Sequence, residues 1–235
     1  KAEVLPELPK KYYTEIPITL GPKQRKAYED MRMNMIAWVG DNQDRPLIAP
    51  VVIARLMRLQ QLALAYADID EEDEVTLSLP SAKLEALRDI LMDNPDKPIV
   101  VFTQFTKMID LVAEYLNKIG LEGRIDFIDG RTNKRHEIIQ DFQDGKIKVL
   151  IMTIGAGGVG ITLTAADTVV FLDRSWSPAI NLQAEDRLHR IGQENAVHVI
   201  DLVAEGTIDR GRMQKLGQKW EIIKSLIDPE SVKES

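Results

Sequence analysis

The chain has 235 residues, of which 44% are hydrophobic and 29% are charged, so it can bury a core of its own and has the composition of a globular protein. Its net charge of −7 excludes a general attraction to nucleic acid, so any binding to DNA or RNA must use a local basic surface. The absence of cysteine excludes disulfides and thiolate metal sites, and it agrees with a reducing, intracellular compartment.

The first part of the chain predicts one short strand followed by two helices. Residues 13–20 alternate between polar and apolar side chains, and Gly21 and Pro22 then begin a helix that runs to about residue 39. A second apolar helix covers about residues 50–67. The acidic residues 68–74 follow it without an apolar strand that would hold carboxylates at a metal, so we interpret them as a solvated connection.

After residue 81 the pattern changes to strands that alternate with helices. Strands are predicted at residues 98–103, 124–128, 148–154, 168–173 and 196–203, and helices at residues 107–119, 134–142, 179–191 and about 207–226. Such alternation requires a mostly parallel sheet with helices on both faces. The predicted fold class is therefore α/β, with a domain at residues 81–226, a helical appendage at residues 1–80 and a tail at residues 227–235.

Residues 149–166 carry no charge and are numerous enough that a membrane-spanning helix must be considered. Glycines and threonines interrupt the run, and no excess of basic residues flanks it. We therefore predict strand, loop and strand in this region, and no membrane as a partner. The three histidines lie far apart in the sequence without a ligand spacing, so no metal site is predicted.

The loop at residues 155–160 has the glycine spacing of a dinucleotide-binding turn, and Asp173 follows near the position of a ribose-binding acid. In that motif the third glycine, here Gly160, opens a crossover helix. Only residues 161–167 separate Gly160 from the next predicted strand, which is too few for a crossover of about a dozen residues. We predict a tight turn or the close approach of a phosphate or ribose, and we keep a dinucleotide-dependent oxidoreductase as an alternative.

Residues 183–193 place Arg187 and Arg190 three positions apart on what we predict to be one face of a helix. A guanidinium is a planar donor that matches phosphate oxygens and can stabilise charge on a transferring phosphoryl group. The alternative is an exposed helix with a surface salt bridge between Asp186 and Arg190.

The same residues, 183–193, closely resemble the sixth motif of the Swi/Snf family, the DNA-translocating ATPases of helicase superfamily two. Five further segments resemble other parts of this family in the family's order: the fourth motif at residues 99–105, the segment after it at residues 128–142, the fifth motif at residues 149–166, the tryptophan-proline step at residues 173–178, and the start of the closing helix at residues 205–209.

The resemblance implies a RecA-like second lobe of a DNA-dependent ATPase that translocates on double-stranded DNA, in the cytoplasm or nucleus. The sequence has neither a Gly-x-x-x-x-Gly-Lys-Ser/Thr loop nor a strand ending in Asp-Glu. ATP and Mg²⁺ are therefore expected to be bound mainly by an N-terminal RecA-like lobe of the same parent chain, and this chain alone is expected to be inactive. Residues 1–80 are then expected to form the interlobe linker and the helical appendage.

The resemblance also implies roles for individual residues. Arg187 and Arg190 are expected to be arginine fingers at the γ-phosphate. ATP is expected near four residues: Gln183, Gly157, Gly158 and Gly160. Double-stranded DNA is expected to contact seven residues through its backbone: Thr103, Gln104, Arg131, Thr132, Lys134, Thr153 and Trp176.

Three alternatives remain open at this point. Arg131 and Lys134, with the nearby Lys107 and Arg135, fit a solvated helix face as well as they fit a phosphate contact. The whole domain also fits a strand-separating superfamily-two helicase, or an interaction module that kept the fold without using nucleotide.

Overall fold

The computed structural model describes residues 8–41, 48–70, 74–121, 123–156 and 160–212. Eight strands lie in these ranges: Lys11–Ile18 (β1), Tyr66–Ile69 (β2), Val75–Ser78 (β3), Ile99–Thr103 (β4), Ile125–Ile128 (β5), Val149–Thr153 (β6), Thr168–Phe171 (β7) and Val197–Ala204 (β8). Six α-helices accompany them: Pro22–Asp41 (α1), Ile48–Leu64 (α2), Ala82–Asp93 (α3), Thr106–Leu116 (α4), Arg135–Gln143 (α5) and Pro178–Glu185 (α6). Asn117–Leu121 extends α4 by a wider turn, and residues 208–212 are again helical.

Six of the strands form one sheet in the order β1-β8-β7-β4-β6-β5, and every neighbouring pair is parallel. This confirms the predicted α/β class and the mostly parallel sheet. Parallel strands need crossover connections, and these place helices over both faces of the sheet. The strand positions predicted from the apolar runs are correct to within about two residues.

The strands are buried on both faces, which explains why they read as continuous apolar runs. All five residues of β4 and of β6 are buried. Successive side chains point to opposite faces, so Val101 packs with α3 and α4 in one core while Val100 and Phe102 pack with α5 and α6 in the other. The two cores hold the helices against the sheet, and they leave the loops after the strand ends free to build a site.

The segment that precedes residue 81 is joined to this sheet. β1 pairs with β8 along its whole length, from Lys11 opposite Val197 to Ile18 opposite Ala204. α1 and α2 contribute Tyr28 and Leu62 to the same core as α3 and α4. The predicted strand and the two predicted helices therefore exist, and the strand forms the edge of the main sheet.

Asp68, Asp70 and Glu74 are exposed, as predicted for a solvated connection at residues 68–74, but the prediction missed a hairpin that this acidic segment joins. α2 ends at Leu64, and β2 then pairs with β3 as an antiparallel hairpin, with Ala67 opposite Leu77. Val75 and Leu77 alternate with polar residues and are buried in the core with α4. The physical reason is that this apolar face outweighs the acidic residues nearby; residues 71–73 lie outside the described part.

The helix predicted at residues 179–191 stops at Glu185, so Arg187 and Arg190 do not share a helix face. Residues 186–192 form turns. The Arg187 carbonyl, which would accept a hydrogen bond from residue 191 in a longer helix, accepts instead from the Leu163 N–H at 2.8 Å. The next carbonyl, of Leu188, accepts from the side chain of Gln193 at 3.3 Å. Hydrogen bonds from Leu163 and Gln193 thus take the place of the next helical hydrogen bonds.

Residues 160–167 contain no helix, which confirms that the glycine loop does not open a dinucleotide crossover. No helix among the described residues is long and apolar enough to cross a membrane. Over the same residues no three His, Asp or Glu side chains are grouped so that they could hold a metal ion. The greater part of the closing helix predicted at residues 207–226, and the tail at 227–235, lie outside the described ranges.

Candidate functional site

The loops that follow β4, β6 and β7 meet at the carboxyl edge of the sheet. Thr103 at the end of β4 lies opposite Thr153 at the end of β6, and β7 pairs with β4 on the other side. Because the strands are parallel, their carboxyl ends bring these loops together. The structure therefore places residues 103–104, 153–156 and 172–174 side by side.

Asp173 organises this edge. Its carboxylate accepts hydrogen bonds from the Thr103 hydroxyl at 2.7 Å, from the Gln104 backbone N–H at 3.0 Å and from the Gln104 side-chain amide at 3.0 Å. The same amide also donates to the Arg174 carbonyl at 2.7 Å. Thr103 is fully buried, so its hydroxyl and the Gln104 amide hold the loop in this structure rather than face solvent.

Arg131, after β5, is held by two carboxylates. Its guanidinium donates to both oxygens of Asp110 at 3.1 and 2.7 Å and to Asp129 at 2.8 Å. These hydrogen bonds, to Asp110 first, raise the pKa of Arg131 above its usual value. Burial alone would raise the pKa of Asp129, but its hydrogen bonds with Arg131 outweigh burial and leave that pKa below 3.8. The neighbouring Thr132 hydroxyl accepts from the Asp129 N–H at 3.0 Å.

The other predicted DNA contacts differ in their exposure. Lys134 is highly exposed, with Glu137 at 3.6 Å as its ion-pair partner. Thr153 is buried. Trp176 is half-buried and donates its indole N–H to Gln60 on α2 at 3.2 Å.

Two further basic residues near this edge bind the chain itself. Lys107 donates to Glu74 at 2.6 Å and to the Val75 carbonyl at 2.7 Å, which ties α4 to the β2-β3 hairpin. Arg135 donates to the Asp129 carbonyl at 3.0 Å. Of the basic residues considered for phosphate, Lys134 is therefore the one whose charge is most open to solvent.

Arg187 connects the residues after α6 to the glycine loop. Its side chain is 6% exposed and donates to the Ala156 carbonyl at 2.8 Å and to the Ile154 carbonyl at 3.4 Å. Burial lowers the pKa of Arg187 from its usual value, although an arginine stays charged at neutral pH. Two of the five N–H donors of the guanidinium are engaged in this way, which leaves donors for a further acceptor.

Arg190 differs from Arg187 in its surroundings. It is exposed, and no described residue accepts a hydrogen bond from its guanidinium or forms an ion pair with it. The alternative salt bridge between Asp186 and Arg190 is not formed, because Asp186 pairs with Lys11 at 3.2 Å. Gln183 is also exposed, on α6.

The glycine loop is described in part. Gly160 has a φ of +109°, which only glycine adopts without strain. Gly157 and Gly158, predicted to contact ATP, lie outside the described residues.

A network of buried charges around Arg174 was not predicted from the sequence. Arg174 donates to both oxygens of Asp201 at 2.6 and 2.9 Å and to Glu185 at 2.6 Å. Burial lowers the pKa of Arg174, but Asp201 and then Glu185 outweigh it and raise that pKa. The signal in the sequence is an aspartate inside the apolar run of β8, because a buried carboxylate requires a cationic partner.

Comparison with known proteins identifies the family to which the chain is related. Residues 82–192 match the model of the helicase conserved C-terminal domain. The fold and this family match together define the chain as a RecA-like helicase C-terminal lobe. Its relatives narrow the class further, and the chain belongs to the Swi/Snf family.

Three similar proteins illustrate the relationship. The chain is 34% identical to an uncharacterized ATP-dependent helicase of Mycoplasma pneumoniae, over 97% of this chain and 22% of that protein. It is 36% identical to the helicase swr1 of Schizosaccharomyces pombe, over 71% of this chain and 13% of that protein. A solved structure of the Sulfolobus solfataricus SWI2/SNF2 ATPase core in complex with double-stranded DNA is 28% identical, with a TM-score of 0.73, over 93% of this chain and 46% of that one.

The chain thus spans about a fifth or less of the length of these two relatives. The family agrees with the motif order predicted from the sequence. It does not favour the alternatives of a strand-separating helicase, an interaction module without nucleotide, or a dinucleotide-dependent oxidoreductase.

Proposed function

We propose that this chain is the second motor lobe of an ATP-dependent, double-stranded DNA translocase that works inside the cell, in the cytoplasm or nucleus. The relatives named as ATP-dependent helicases and the similar core bound to double-stranded DNA support this function. In this proposal an N-terminal RecA-like lobe of the same parent protein binds the triphosphate. Closure of the two lobes then completes the catalytic site, and reopening moves them along the DNA.

The observation that carries the proposal is the contrast between the two arginines. Arg190 offers an exposed guanidinium with no partner among the described residues, whereas the side chains of Arg187 and Gln193 on either side of it are hydrogen-bonded inside the lobe. An exposed guanidinium of this kind can bind an anionic ligand that comes from outside the lobe. We propose that Arg190 stabilises charge on the γ-phosphoryl group in the transition state.

Arg187 acts at the same site in this proposal. Its contacts with Ala156 and Ile154 hold the glycine loop beside the arginines, and its remaining N–H donors can reach a phosphate. Gln183, Gly160 and the adjacent Gly157 and Gly158 are proposed to line the nucleotide. A magnesium ion would be held by carboxylates of the other lobe together with phosphate oxygens, since the described part of this chain groups no such ligands.

Contact with DNA is proposed for the loops at the carboxyl edge of the sheet. Lys134 supplies an exposed charge, and Thr132 lies two residues before it. Asp173 positions the backbone of this edge through Thr103 and Gln104. The proposed set is completed by Arg131, Thr153 and Trp176.

The test compares arginine variants in the protein that carries both lobes. Arg190→Ala is expected to lower DNA-stimulated ATP turnover on the order of 10³-fold while the affinity for ATP stays nearly unchanged, because the guanidinium acts on the transition state. Arg88→Ala, which removes an exposed arginine on α3, is the matched control and is expected to turn over normally. Normal turnover by Arg190→Ala would rule out the proposed role.

A further inference from the structure

A short segment at residues 9–13 contacts the chain on both sides of Arg187. The Lys11 ammonium donates to Glu185 at 3.1 Å and to Asp186 at 3.2 Å, and the Tyr13 hydroxyl donates to Glu185 at 2.9 Å. Glu185 and Asp186 immediately precede Arg187. The segment therefore holds the residues through which α6 leads into the two arginines.

A third contact lies between the arginines. The Nε2 atom of His189 is 2.6 Å from the Pro9 carbonyl, so a proton on Nε2 makes it the donor. His189 separates Arg187 from Arg190 by its position in the chain. Pro9 and Lys11 thus contact residues 185, 186 and 189, and the backbone between them has little freedom to rotate.

Glu185 is the common partner in this arrangement. Its carboxylate is almost fully buried and binds Lys11 and Tyr13 through one oxygen and Arg174 through the other. Its backbone carbonyl accepts from the N–H groups of Leu188 and His189, both at 3.1 Å. A change at the carboxylate is therefore transmitted to the turn that carries Arg187 and leads to Arg190.

We propose that residues 9–13 position the arginines, with Lys11 and Tyr13 as the positioning residues. The catalytic consequence rests on the proposed function, whereas the contact itself does not. Lys11 holds Glu185 and Asp186 in place, and Tyr13 orients the Glu185 carboxylate toward Arg174. Movement of β1 against β8 would then alter the placement of Arg190, so the start of the lobe is coupled to its catalytic side chains.

The contact is tested on this chain by amide hydrogen exchange. Lys11→Met and Tyr13→Phe are each expected to speed the exchange of the Leu188 and His189 amides about tenfold, since a lost charge-assisted hydrogen bond frees the turn. The matched controls are Lys10→Met and Tyr12→Phe. Lys10 is exposed, and the Tyr12 hydroxyl has no partner among the described residues. Exchange at the wild-type rate in both test variants would overturn the inference.

The positioning role is tested by kinetics in the protein that carries both lobes. Lys11→Met and Tyr13→Phe are expected to lower kcat about tenfold with an unchanged KM for ATP, and Lys11→Arg is expected to restore most of the loss. The controls Lys10→Met and Tyr12→Phe should retain normal kcat.

The two experiments separate this inference from the proposed function. Faster exchange with normal kcat, in a protein where Arg190→Ala does lower kcat, would overturn the positioning role and leave the proposed function standing. Normal kcat for Arg190→Ala as well would mean that the proposed function, and the catalytic half of this inference, had failed.

Discussion

At the scale of single residues, the two arginines that look equivalent in the sequence differ in their environment. Arg187 is buried and binds two carbonyl oxygens, while Arg190 is exposed. A buried guanidinium contributes to stability through the acceptors it satisfies, whereas an exposed one without a partner contributes little. Arg187 therefore stabilises the lobe, whereas the Arg190 side chain is exposed at its surface.

We predict that Arg187→Ala lowers the free energy of unfolding of this chain by about 2 kcal/mol, because the Ala156 and Ile154 carbonyls lose their donor. Arg190→Ala should change it by less than about 0.5 kcal/mol, as expected at an exposed position. Urea unfolding of the two variants measures the difference. Equal losses in both would contradict the environments described above.

A second residue-scale prediction concerns Arg131, whose guanidinium is shared between Asp110 and Asp129. Asp110→Asn removes the exposed carboxylate and should strengthen binding to duplex DNA a few-fold at low salt, because Arg131 becomes available to a phosphate. Stability should change by less than about 1 kcal/mol, since the pair is exposed. Asp93→Asn makes the same change of charge at an exposed position on α3, and equal strengthening by that control would assign the effect to net charge alone.

At the scale of elements, a buried charge cluster joins α3, the end of β7 and the helical residues 208–212. The Lys83 ammonium donates to Asp209 and to the Leu172 carbonyl, both at 2.5 Å, and Arg212 donates to Asp209 at 2.7 Å. All three charged side chains are at most 2% exposed. Removing one charge from such a cluster leaves the others without compensation, so the cluster fixes how these elements dock.

The cluster predicts a stability that depends on pH. Burial raises the pKa of Asp209, but Lys83 and Arg212 outweigh burial and leave that pKa below 3.8. The folded state therefore binds fewer protons than the unfolded state in this range. The contribution of Asp209 is complete above about pH 4 and is lost as the pH falls through the lower, folded pKa.

We accordingly predict that Asp209→Asn lowers the free energy of unfolding at pH 7 by about 3–5 kcal/mol, as expected for a broken buried ion pair. Its stability should also decline less steeply than that of the wild type below about pH 4. Denaturant unfolding at several pH values measures both effects. Asp93→Asn is the control at an exposed site, and a wild-type slope in Asp209→Asn would contradict the assignment.

At the scale of the whole molecule, a lobe with a net charge of −7 must bind DNA through a small basic surface. Several cations near the carboxyl edge of the sheet are already paired within the lobe, Lys107 and Arg131 among them. Affinity should therefore be modest for the lobe itself, independent of base sequence and strongly dependent on salt.

We predict that Lys134→Ala flattens the slope of log K against log salt on duplex DNA by about one, because each neutralised phosphate contributes about −0.9. Arg131→Ala should have the same effect if its guanidinium turns from Asp110 to a phosphate. Titrations use the protein that carries both lobes, with Lys118→Ala as the control, since Lys118 is exposed on the wider turn after α4 and pairs with Glu114. Identical slopes for all variants would leave Lys134 as part of a solvated helix edge.

The class of fold and the family could both be predicted from the amino-acid sequence alone. Apolar runs such as those of β4 and β6 cannot be stable unless both faces are covered, so they predict a parallel sheet before any contact is known. Each motif is a short contiguous segment, so the motifs and their order can be recognised without a structure. For the same reason the rejection of the dinucleotide turn needed only the count of residues after Gly160.

Three features depend on the three-dimensional arrangement: the end of α6, the β2-β3 hairpin, and the exposure of Arg190 beside a buried Arg187. The end of α6 and the surroundings of Arg190 depend on partners distant in sequence. The Leu163 N–H binds the Arg187 carbonyl that would extend α6, and Lys11 pairs with Asp186, which the alternative interpretation had paired with Arg190. The helical periodicity of the sequence does not show which distant residues will compete for these hydrogen bonds and ion pairs. A buried charge such as Glu185 acquires its role from Lys11, Tyr13 and Arg174, because the low-dielectric interior makes the partner, and not the residue type, determine the energy.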